Sequence, residues 1–172
     1  MSSRILTYYY RTYSMKRLFL LMAFFALFYS HQANAQNTSV QWLTFEQLED
    51  SLSIAPKKVF ISFYADWCAY CKKMDAAAFK DTKVVTKLNA EFYAVKMNAE
   101  TTAKINFGGT VFMNKEVGQK RNPTHEIARL LASRKGKPFT LPAMVVLNEQ
   151  FEVTDRYFTY LSPKALYNAL NK

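Results

Sequence analysis

The chain has 172 residues, two cysteines and a formal net charge of +10. Two cysteines separated by two residues do not form a structural disulfide framework, which uses more cysteines at wider spacing. The basic residues after residue 35 are scattered along the chain, which is typical of a solvated surface and argues against a nucleic-acid site.

The first 35 residues are typical of a secretory signal peptide. Met15-Lys16-Arg17 precedes the apolar residues 18–29 and a polar stretch that ends in Ala33-Asn34-Ala35, which predicts cleavage after Ala35 and makes Met15 a candidate translation start. The apolar stretch is shorter than the roughly 20 residues of a membrane-spanning helix, although an uncleaved anchor is the alternative. We therefore predict a periplasmic or secreted protein that meets the membrane only through this peptide, before cleavage.

Cleavage would leave residues 36–172 as the mature protein, which is long enough for one domain with a hydrophobic core. Four basic residues and no acidic ones would be lost, so the net charge would fall from +10 to +6. The mature protein begins with a predicted helix, because residues 44–47 form a capping box and Pro56 ends the apolar pattern. The apolar residues at helical spacing are Phe45, Leu48 and Leu52.

A buried strand is predicted at residues 57–64, and Cys68 and Cys71 follow it at the start of a helix that runs to about residue 79. Two intervening residues place both sulfurs one helical turn apart on one face, where an S–S bond can form and open. Export favours a disulfide because cytosolic reductants do not reach that compartment. The alternatives are an inert disulfide and a zinc half-site, but zinc needs further ligands, and His125 is the one histidine after residue 35.

The middle of the chain predicts a helix, a strand and a short hairpin. Asp81 caps the helix, and the strand covers residues 92–97. Residues 105–112 predict an added hairpin that turns on Gly108-Gly109. The apolar residues of the helix are Val84, Val85 and Leu88.

The last third predicts a helix, an antiparallel hairpin and a closing helix. Thr124 is expected to cap the first helix, which would end near Gly136. The hairpin pairs residues 143–147 with 151–160 through a turn at residues 148–150, and the closing helix covers residues 164–170 after Ser162-Pro163. One face of the first helix should carry Ile127, Leu130 and Leu131. One mixed sheet covered by helices on both faces satisfies this order of elements.

Three motifs resemble the thioredoxin-like superfamily over roughly residues 40–170. They are residues 65–72 with the Trp-Cys-x-x-Cys-Lys sequence, Lys96-Met97-Asn98 at a strand end, and Leu141-Pro142 before a strand. The chain is similar to thioredoxin and to the C-terminal domain of the transmembrane thiol:disulfide interchange proteins. The resemblance implies an α/β thioredoxin-like fold, with a central mixed sheet flanked by helices and an insertion between residues 99 and 123.

The resemblance and the residues together imply a role for each side chain of the site. Cys68 is the expected nucleophile, because a helix N-terminus stabilises a thiolate, and Cys71 is the expected resolving thiol. Pro142 is expected to be a cis-proline that packs against the cysteines and lets Leu141 pair with an extended substrate, although a trans-proline is the alternative. The residues expected to contact substrate are Trp67, Ala69, Tyr70, Leu141 and Pro142.

One departure from the family concerns proton transfer. Thioredoxins carry a buried aspartate six residues before the first cysteine, and this chain has Ser62 there. Asp75, one turn beyond Cys71, and Lys96, at a strand end, are the candidates for proton transfer, and a solvated surface position is the alternative for each. The Cys68–Cys71 disulfide is the only redox group expected, without a metal or a further cofactor.

The sequence thus predicts an exported thiol-disulfide oxidoreductase that acts on cysteine-containing exported proteins. The resemblance favours a reductase supplied with electrons by an unidentified membrane partner, with an oxidase or isomerase as the alternative. A copper(I)-handling module is a second alternative, because soft thiolates suit that ion. A binding domain with vestigial cysteines is a third.

Overall fold

The computed structural model describes residues 38–172, so the predicted signal peptide lies outside the described residues. Within the described part of the chain, no helix is both long enough and apolar enough to cross a bilayer. The elements in chain order are β1 Trp42–Leu43, α1 Phe45–Ile54, β2 Lys58–Tyr64, α2 Ala69–Ala76, a 3₁₀ turn Ala78–Lys80, α3 Thr82–Glu91, β3 Phe92–Asn98, β4 Ile105–Phe107, β5 Thr110–Phe112, α4 Glu126–Ala132, β6 Ala143–Leu147, β7 Val153–Tyr157 and α5 Pro163–Ala169.

Five of these strands form one mixed sheet in the order β1-β3-β2-β6-β7. β1, β3 and β2 run parallel, whereas β6 pairs antiparallel with both β2 and β7. All of β6 and the interior of β2 are buried, which explains their nearly continuous apolar sequences, since both faces of these strands are covered. The predicted mixed sheet is confirmed.

Helices cover the sheet on both faces, as predicted. α1 and α4 pack on one face, where their buried side chains meet Val59, Ile61 and Phe63 of β2. α2, α3 and α5 pack on the other face against Phe60, because successive side chains of a strand point in opposite directions. The cysteine-bearing helix α2 therefore lies on the same face as the closing helix α5.

Short-range capping determines where most of the helices begin. Thr44 Oγ1 accepts a hydrogen bond from the Gln47 N–H at 3.2 Å, and Gln47 Oε1 accepts one from the Thr44 N–H at 2.9 Å. Asp81 caps α3 and Ser162 caps α5 through their side-chain oxygens. These three predicted helix starts are confirmed.

The start and the end of α4 differ from the prediction. His125, rather than Thr124, is the N-cap, and its Nδ1 accepts a hydrogen bond from the Ile127 N–H at 3.2 Å. The helix ends at Ala132, and Gly136 lies instead in a tight turn with a positive φ of 68°. The predicted ends were wrong because two capping residues stand side by side and the glycine belongs to the next turn.

The buried face of α4 also differs from the prediction. Leu130 is 67% exposed, and the buried residues are Ile127, Ala128 and Ala132. Residues four apart lie on one helix face, whereas Leu130 is two residues from Ala128 and points away from it. The small alanines, rather than the large leucine, therefore allow α4 to approach the sheet.

Smaller differences concern element lengths. The predicted helix from the cysteines to residue 79 ends at Ala76 and continues as the 3₁₀ turn after Ala77. The last strand is β7, shorter than the predicted residues 151–160, because Phe151 has a positive φ of 61° and belongs to the turn.

The insertion contains the predicted hairpin, which is a separate two-stranded sheet of β4 and β5. Gly108 and Gly109 form its turn with φ of 60° and 69°, a conformation that glycine adopts without strain. Phe107 packs edge-to-face on Phe45 of α1, with ring centroids 5.4 Å apart. The hairpin is thus fixed to the α1 side of the domain.

Buried polar side chains fix the rest of the insertion. His125 is fully buried, its backbone N–H donates to the Ala99 carbonyl at 2.8 Å, and its Nε2 lies 3.2 Å from the Ala103 carbonyl oxygen. Burial lowers the pKa of His125 below its usual value, so the neutral ring is favoured. Asn114 donates to the carbonyl oxygens of Thr101 and Pro123. These contacts give the insertion a defined shape next to α4.

A charged cluster around Glu116 joins the insertion to α4. Arg129 Nη2 donates to Glu116 Oε2 at 2.8 Å, Lys120 Nζ donates to Oε1 at 2.8 Å, and the Thr124 N–H donates to Oε2 at 3.0 Å. The Arg129 guanidinium in particular lowers the pKa of the Glu116 carboxyl from 4.5 to about 2. The carboxylate is therefore strongly favoured in the folded state.

Replacing Glu116 with glutamine should lower the free energy of unfolding by about 1.5–3 kcal/mol at pH 7, the scale of hydrogen bonds to a charged group. The folded-state pKa lies below the unfolded one, so this stabilisation is present above pH 4.5 and is lost as the pH falls towards 2. Urea unfolding at pH 7 and at pH 3 should show the wild-type advantage shrinking on acidification. Glu149→Gln, at an exposed turn position, is the control without such an advantage. A difference independent of pH would contradict the assignment.

Candidate functional site

The cysteine pair lies where β2 ends and α2 begins. The Cys68 N–H donates to the Ala65 carbonyl at 3.0 Å, which closes a turn after the strand, and the Lys72 N–H donates to the Cys68 carbonyl at 3.1 Å, which begins the helix. Cys68 is the N-cap of α2, and its Sγ accepts a hydrogen bond from the Cys71 N–H at 3.1 Å. The sulfur thus takes the place of a capping oxygen, close to the positive end of the helix dipole.

Cys68 and Cys71 form a disulfide bond, with their Cα atoms 5.2 Å apart. This separation is well within the range of ordinary disulfides. The two-residue spacing of the cysteines predicted that such a bond can form. The fold places both cysteines at the start of α2.

The two cysteines are more covered than a reactive nucleophile was expected to be. Cys68 is 3% exposed and Cys71 is 5% exposed, in a cluster with Ala65 against which Tyr64 and Leu141 pack. The neighbouring side chains are large and open to solvent, since Trp67 is 57% exposed and Tyr70 is 61% exposed. In the disulfide form, access to the sulfurs is therefore narrow, with exposed aromatic rings beside it.

The Leu141–Pro142 peptide bond is cis. Pro142 is buried and directly precedes β6, whose first residue Ala143 pairs with Phe63 near the end of β2. This pairing brings Leu141 against the cysteine cluster. Among residues 38–172, neither the N–H nor the C=O of Leu141 has a hydrogen-bond partner, so its backbone is available to an extended chain.

Ser62 is buried in β2 and stands in register with Lys96 of β3. Lys96 Nζ lies 2.6 Å from Asp75 Oδ1, so the two residues singled out for proton transfer form an ion pair between β3 and α2. Both side chains remain partly exposed, at 22% for Lys96 and 38% for Asp75. The pair is thus on the α2 side of the sheet, one helical turn beyond Cys71.

Tyr64 lies next to Lys96 of this ion pair and also next to the cysteines. Lys96 Nζ is 5.0 Å from the Tyr64 ring centroid, and Tyr64 packs against the cysteine cluster. Burial, and then the nearby carboxylates of Asp66 and Asp75, raise the pKa of Tyr64 above its usual value. The tyrosine therefore stays protonated at neutral pH and provides an uncharged wall beside the sulfurs.

Two contacts next to the cysteines were not predicted from the sequence. Glu100 Oε1 accepts a hydrogen bond from the Trp67 indole N–H at 2.9 Å. Tyr160 packs on Tyr70 with ring centroids 6.3 Å apart, and Lys73 Nζ lies 4.6 Å from the Tyr160 centroid. Glu100 could have been suspected, because β3 ends beside β2 in a parallel sheet, whereas Tyr160 has no comparable signal.

The described residues contain no group of three or more His, Cys, Asp or Glu side chains that could hold a metal ion. The two cysteine sulfurs are instead bonded to each other. The chemistry that this arrangement can perform without additions is thiol-disulfide exchange, in which a thiolate attacks a disulfide sulfur.

The order of the sheet, the helices on both faces and the Cys-x-x-Cys disulfide at the start of α2 define the class of thioredoxin-fold proteins. A family model described as a thioredoxin-like domain matches residues 45–172, and the chain belongs to this family. The resemblance seen in the sequence motifs is thereby confirmed. No match was found among curated proteins.

Several solved structures are similar to this chain. A thioredoxin from Thermus thermophilus has 20% identity and a TM-score of 0.54, covering 77% of this chain and 85% of its own. The DsbH oxidoreductase has 16% identity and a TM-score of 0.52, covering 82% of this chain and 88% of its own. The C-terminal domain of Neisseria meningitidis DsbD has 18% identity and a TM-score of 0.48, and the match covers 73% of this chain and 90% of the DsbD domain. The first two support the thioredoxin-like fold.

Proposed function

We propose that the protein is an exported thiol-disulfide oxidoreductase that reduces disulfide bonds of periplasmic or secreted proteins. The observation that carries the proposal is the position of Cys68 Sγ, which caps α2 and accepts the Cys71 N–H at 3.1 Å. A thiolate at such a position is stabilised by the helix N-terminus, and the thiolate is the reactive form of cysteine. The apolar segment and small-residue motif before residue 36 support export.

The proposed reaction has two exchange steps. The Cys68 thiolate attacks one sulfur of the substrate disulfide, which forms a mixed disulfide and releases the other substrate sulfur as a thiolate that takes up a proton. Cys71 then loses its proton and attacks Cys68 Sγ, which restores the Cys68–Cys71 disulfide and releases the second substrate thiol. Two electrons pass to the substrate, and a membrane protein with a dithiol would return two electrons to the cysteines.

The second step needs a group that accepts the proton of Cys71, and we assign this role to Asp75 together with Lys96. The pair lies one helical turn beyond Cys71, and Ser62 supplies no carboxylate beneath the site. A carboxylate held by a lysine can accept a proton directly or through one water.

Substrate binding is assigned to the residues around the disulfide. Leu141, before Pro142, would pair through its backbone with the extended chain that carries the target cysteine. Trp67 and Tyr70 are exposed beside the sulfurs and offer apolar surface, and the small exposed Ala69 adds a methyl group to that surface without blocking the approach.

A disulfide-reduction assay tests the proposal. The reduced protein should reduce insulin with formation of the Cys68–Cys71 disulfide, and Cys68→Ser should have no activity. Titration of the reduced protein with copper(I) against a competing chelator tests the metal-handling alternative. Stoichiometric copper binding without insulin reduction would overturn the proposal.

A second measurement tests the direction of electron flow. Equilibration with a glutathione buffer gives the reduction potential of the cysteine pair, and a value near that of thioredoxin, about −270 mV, is expected for a reductase. A value near that of the strongest oxidant, about −120 mV, would instead assign an oxidase.

A further inference from the structure

We propose that a groove next to the disulfide binds a lysine or arginine side chain located within two residues of the target cysteine in the substrate. This inference rests on the proposed function and names the substrates that the same site prefers. The groove has a volume of about 230 Å³. Its walls include Trp67, Glu100, Asn122, Thr124, Phe139 and Leu141.

The position of the groove follows from two of its walls. Trp67 directly precedes Cys68, and Leu141 packs against the cysteine cluster. A chain held by the Leu141 backbone and joined to Cys68 therefore passes the mouth of the groove. Since successive side chains of an extended chain alternate in direction, a residue one or two positions from the target cysteine can point into it.

The segment that ends the insertion and leads into α4 supplies another wall of the groove. Thr124, immediately before the N-cap of α4, is buried. Asn122 is exposed and lies at the rim of the groove. His125 and Glu116 hold this segment in place through hydrogen bonds to Ala103 and Thr124. The groove is therefore a defined feature of this chain.

The charge of the groove selects its occupant. Glu100 is the one charged residue of the groove lining, and it has no ion-pair partner among residues 38–172. Its Oε1 is held by the Trp67 indole N–H, which orients the carboxylate. A cationic side chain would supply the missing partner.

The remaining walls suit the stem of such a side chain. Trp67 and Phe139 present aromatic surface, on which the methylene groups of lysine or the guanidinium of arginine can pack. The volume is below the roughly 300–1,000 Å³ typical of sites for small-molecule ligands. The groove therefore fits one side chain of a larger substrate better than a free cofactor.

The positive net charge of the protein requires test peptides of equal charge. Without residues 1–35 the protein keeps a net charge of +6, so long-range electrostatics oppose basic substrates and a preference for lysine must come from a local contact. Two disulfide-bonded peptides of identical composition are therefore compared. One carries lysines within two residues of a cysteine, and the other carries the same lysines at its ends.

Rates of peptide reduction are measured with the fully reduced protein and divided by the rates with dithiothreitol, which corrects for intrinsic reactivity. Wild type should prefer the peptide with lysine next to cysteine about fivefold, the scale of combined ion-pair and cation–π contacts near a surface. Glu100→Gln should lower this ratio clearly, to the smaller preference that packing on Trp67 and Phe139 leaves, because glutamine retains an acceptor for the Trp67 N–H but has no charge. Glu149→Gln, at a distant exposed turn, should retain the wild-type ratio.

Added salt should lower the wild-type ratio, since a charge contact near the surface is screened. Equal normalised rates for both peptides with wild type, or the same ratio for wild type and Glu100→Gln, would overturn this inference alone. Reduction of neither peptide by wild type would overturn the proposed function and this inference with it.

Discussion

Replacing Cys71 with alanine should leave Cys68 joined to its substrates as stable mixed disulfides. In the wild type, the Cys71 N–H lies 3.1 Å from Cys68 Sγ and the two sulfurs are bonded, so the second thiol is in position to resolve an adduct at once. Without Cys71, resolution needs an external thiol and becomes slow. Non-reducing gels of exported protein extracts should show high-mass adducts that dissociate with dithiothreitol.

The matched control for this experiment is Cys68→Ala, which retains Cys71. This variant should form no adducts, because Cys71 lies inside α2 and lacks the capping position that stabilises a thiolate. The thiol of Cys68 in Cys71→Ala should also react with an alkylating reagent. Absence of adducts from a folded Cys71→Ala protein whose Cys68 is alkylated would contradict the proposed mechanism.

Local patterns predicted the framework that carries the cysteines. Thr44, Asp81 and Ser162 each accept a hydrogen bond from an N–H two or three residues away, so a short stretch of sequence suffices to place the helix start. The buried strand before Cys68 was equally clear, because its apolar run fits a strand covered on both faces. The cis peptide at Pro142 was expected from the family resemblance, rather than from local pattern.

Side-chain contacts between distant elements follow from strand order and register, and the sequence analysis predicted neither of the two contacts near the cysteines. The Lys96–Asp75 pair joins β3 to α2, and it depends on the register that places Ser62 beside Lys96. The Trp67–Glu100 hydrogen bond spans 33 residues and depends on the same parallel pairing. Without the sheet order, Asp75 and Glu100 would each be interpreted as a solvated surface carboxylate.

Tertiary packing, rather than local sequence pattern, decided which side chains are exposed. Leu130 was expected in the core, but the alanines of α4 take the positions nearest the sheet. Cys68 was expected to be accessible, but Tyr64 and Leu141 cover the disulfide.

The two-residue strand β1 was not predicted, because it is too short to show a periodic pattern of apolar residues.

Replacing Asp75 with asparagine should slow resolution of the mixed disulfide by about 100-fold at neutral pH, the lower end of the range for general acid–base catalysis. Burial disfavours a thiolate, and Cys71 is 5% exposed, so its attack on Cys68 benefits from a nearby base. Asparagine can still accept the hydrogen bond of Lys96 but cannot take a proton. The fold should persist, because a partly exposed ion pair contributes only about 0–1 kcal/mol.

The rate of resolution is measured by stopped flow on a mixed disulfide formed at Cys68 with a fluorescent thiol. The defect of Asp75→Asn should narrow as the pH rises through the alkaline range, because hydroxide can then remove the thiol proton without a neighbouring base. A purely structural role of Asp75 would give a defect independent of pH. Asp50→Asn, an exposed position on α1 across the sheet, should match the wild type. Resolution by Asp75→Asn within twofold of the wild type at every pH would remove Asp75 from the mechanism and assign the proton of Cys71 to solvent.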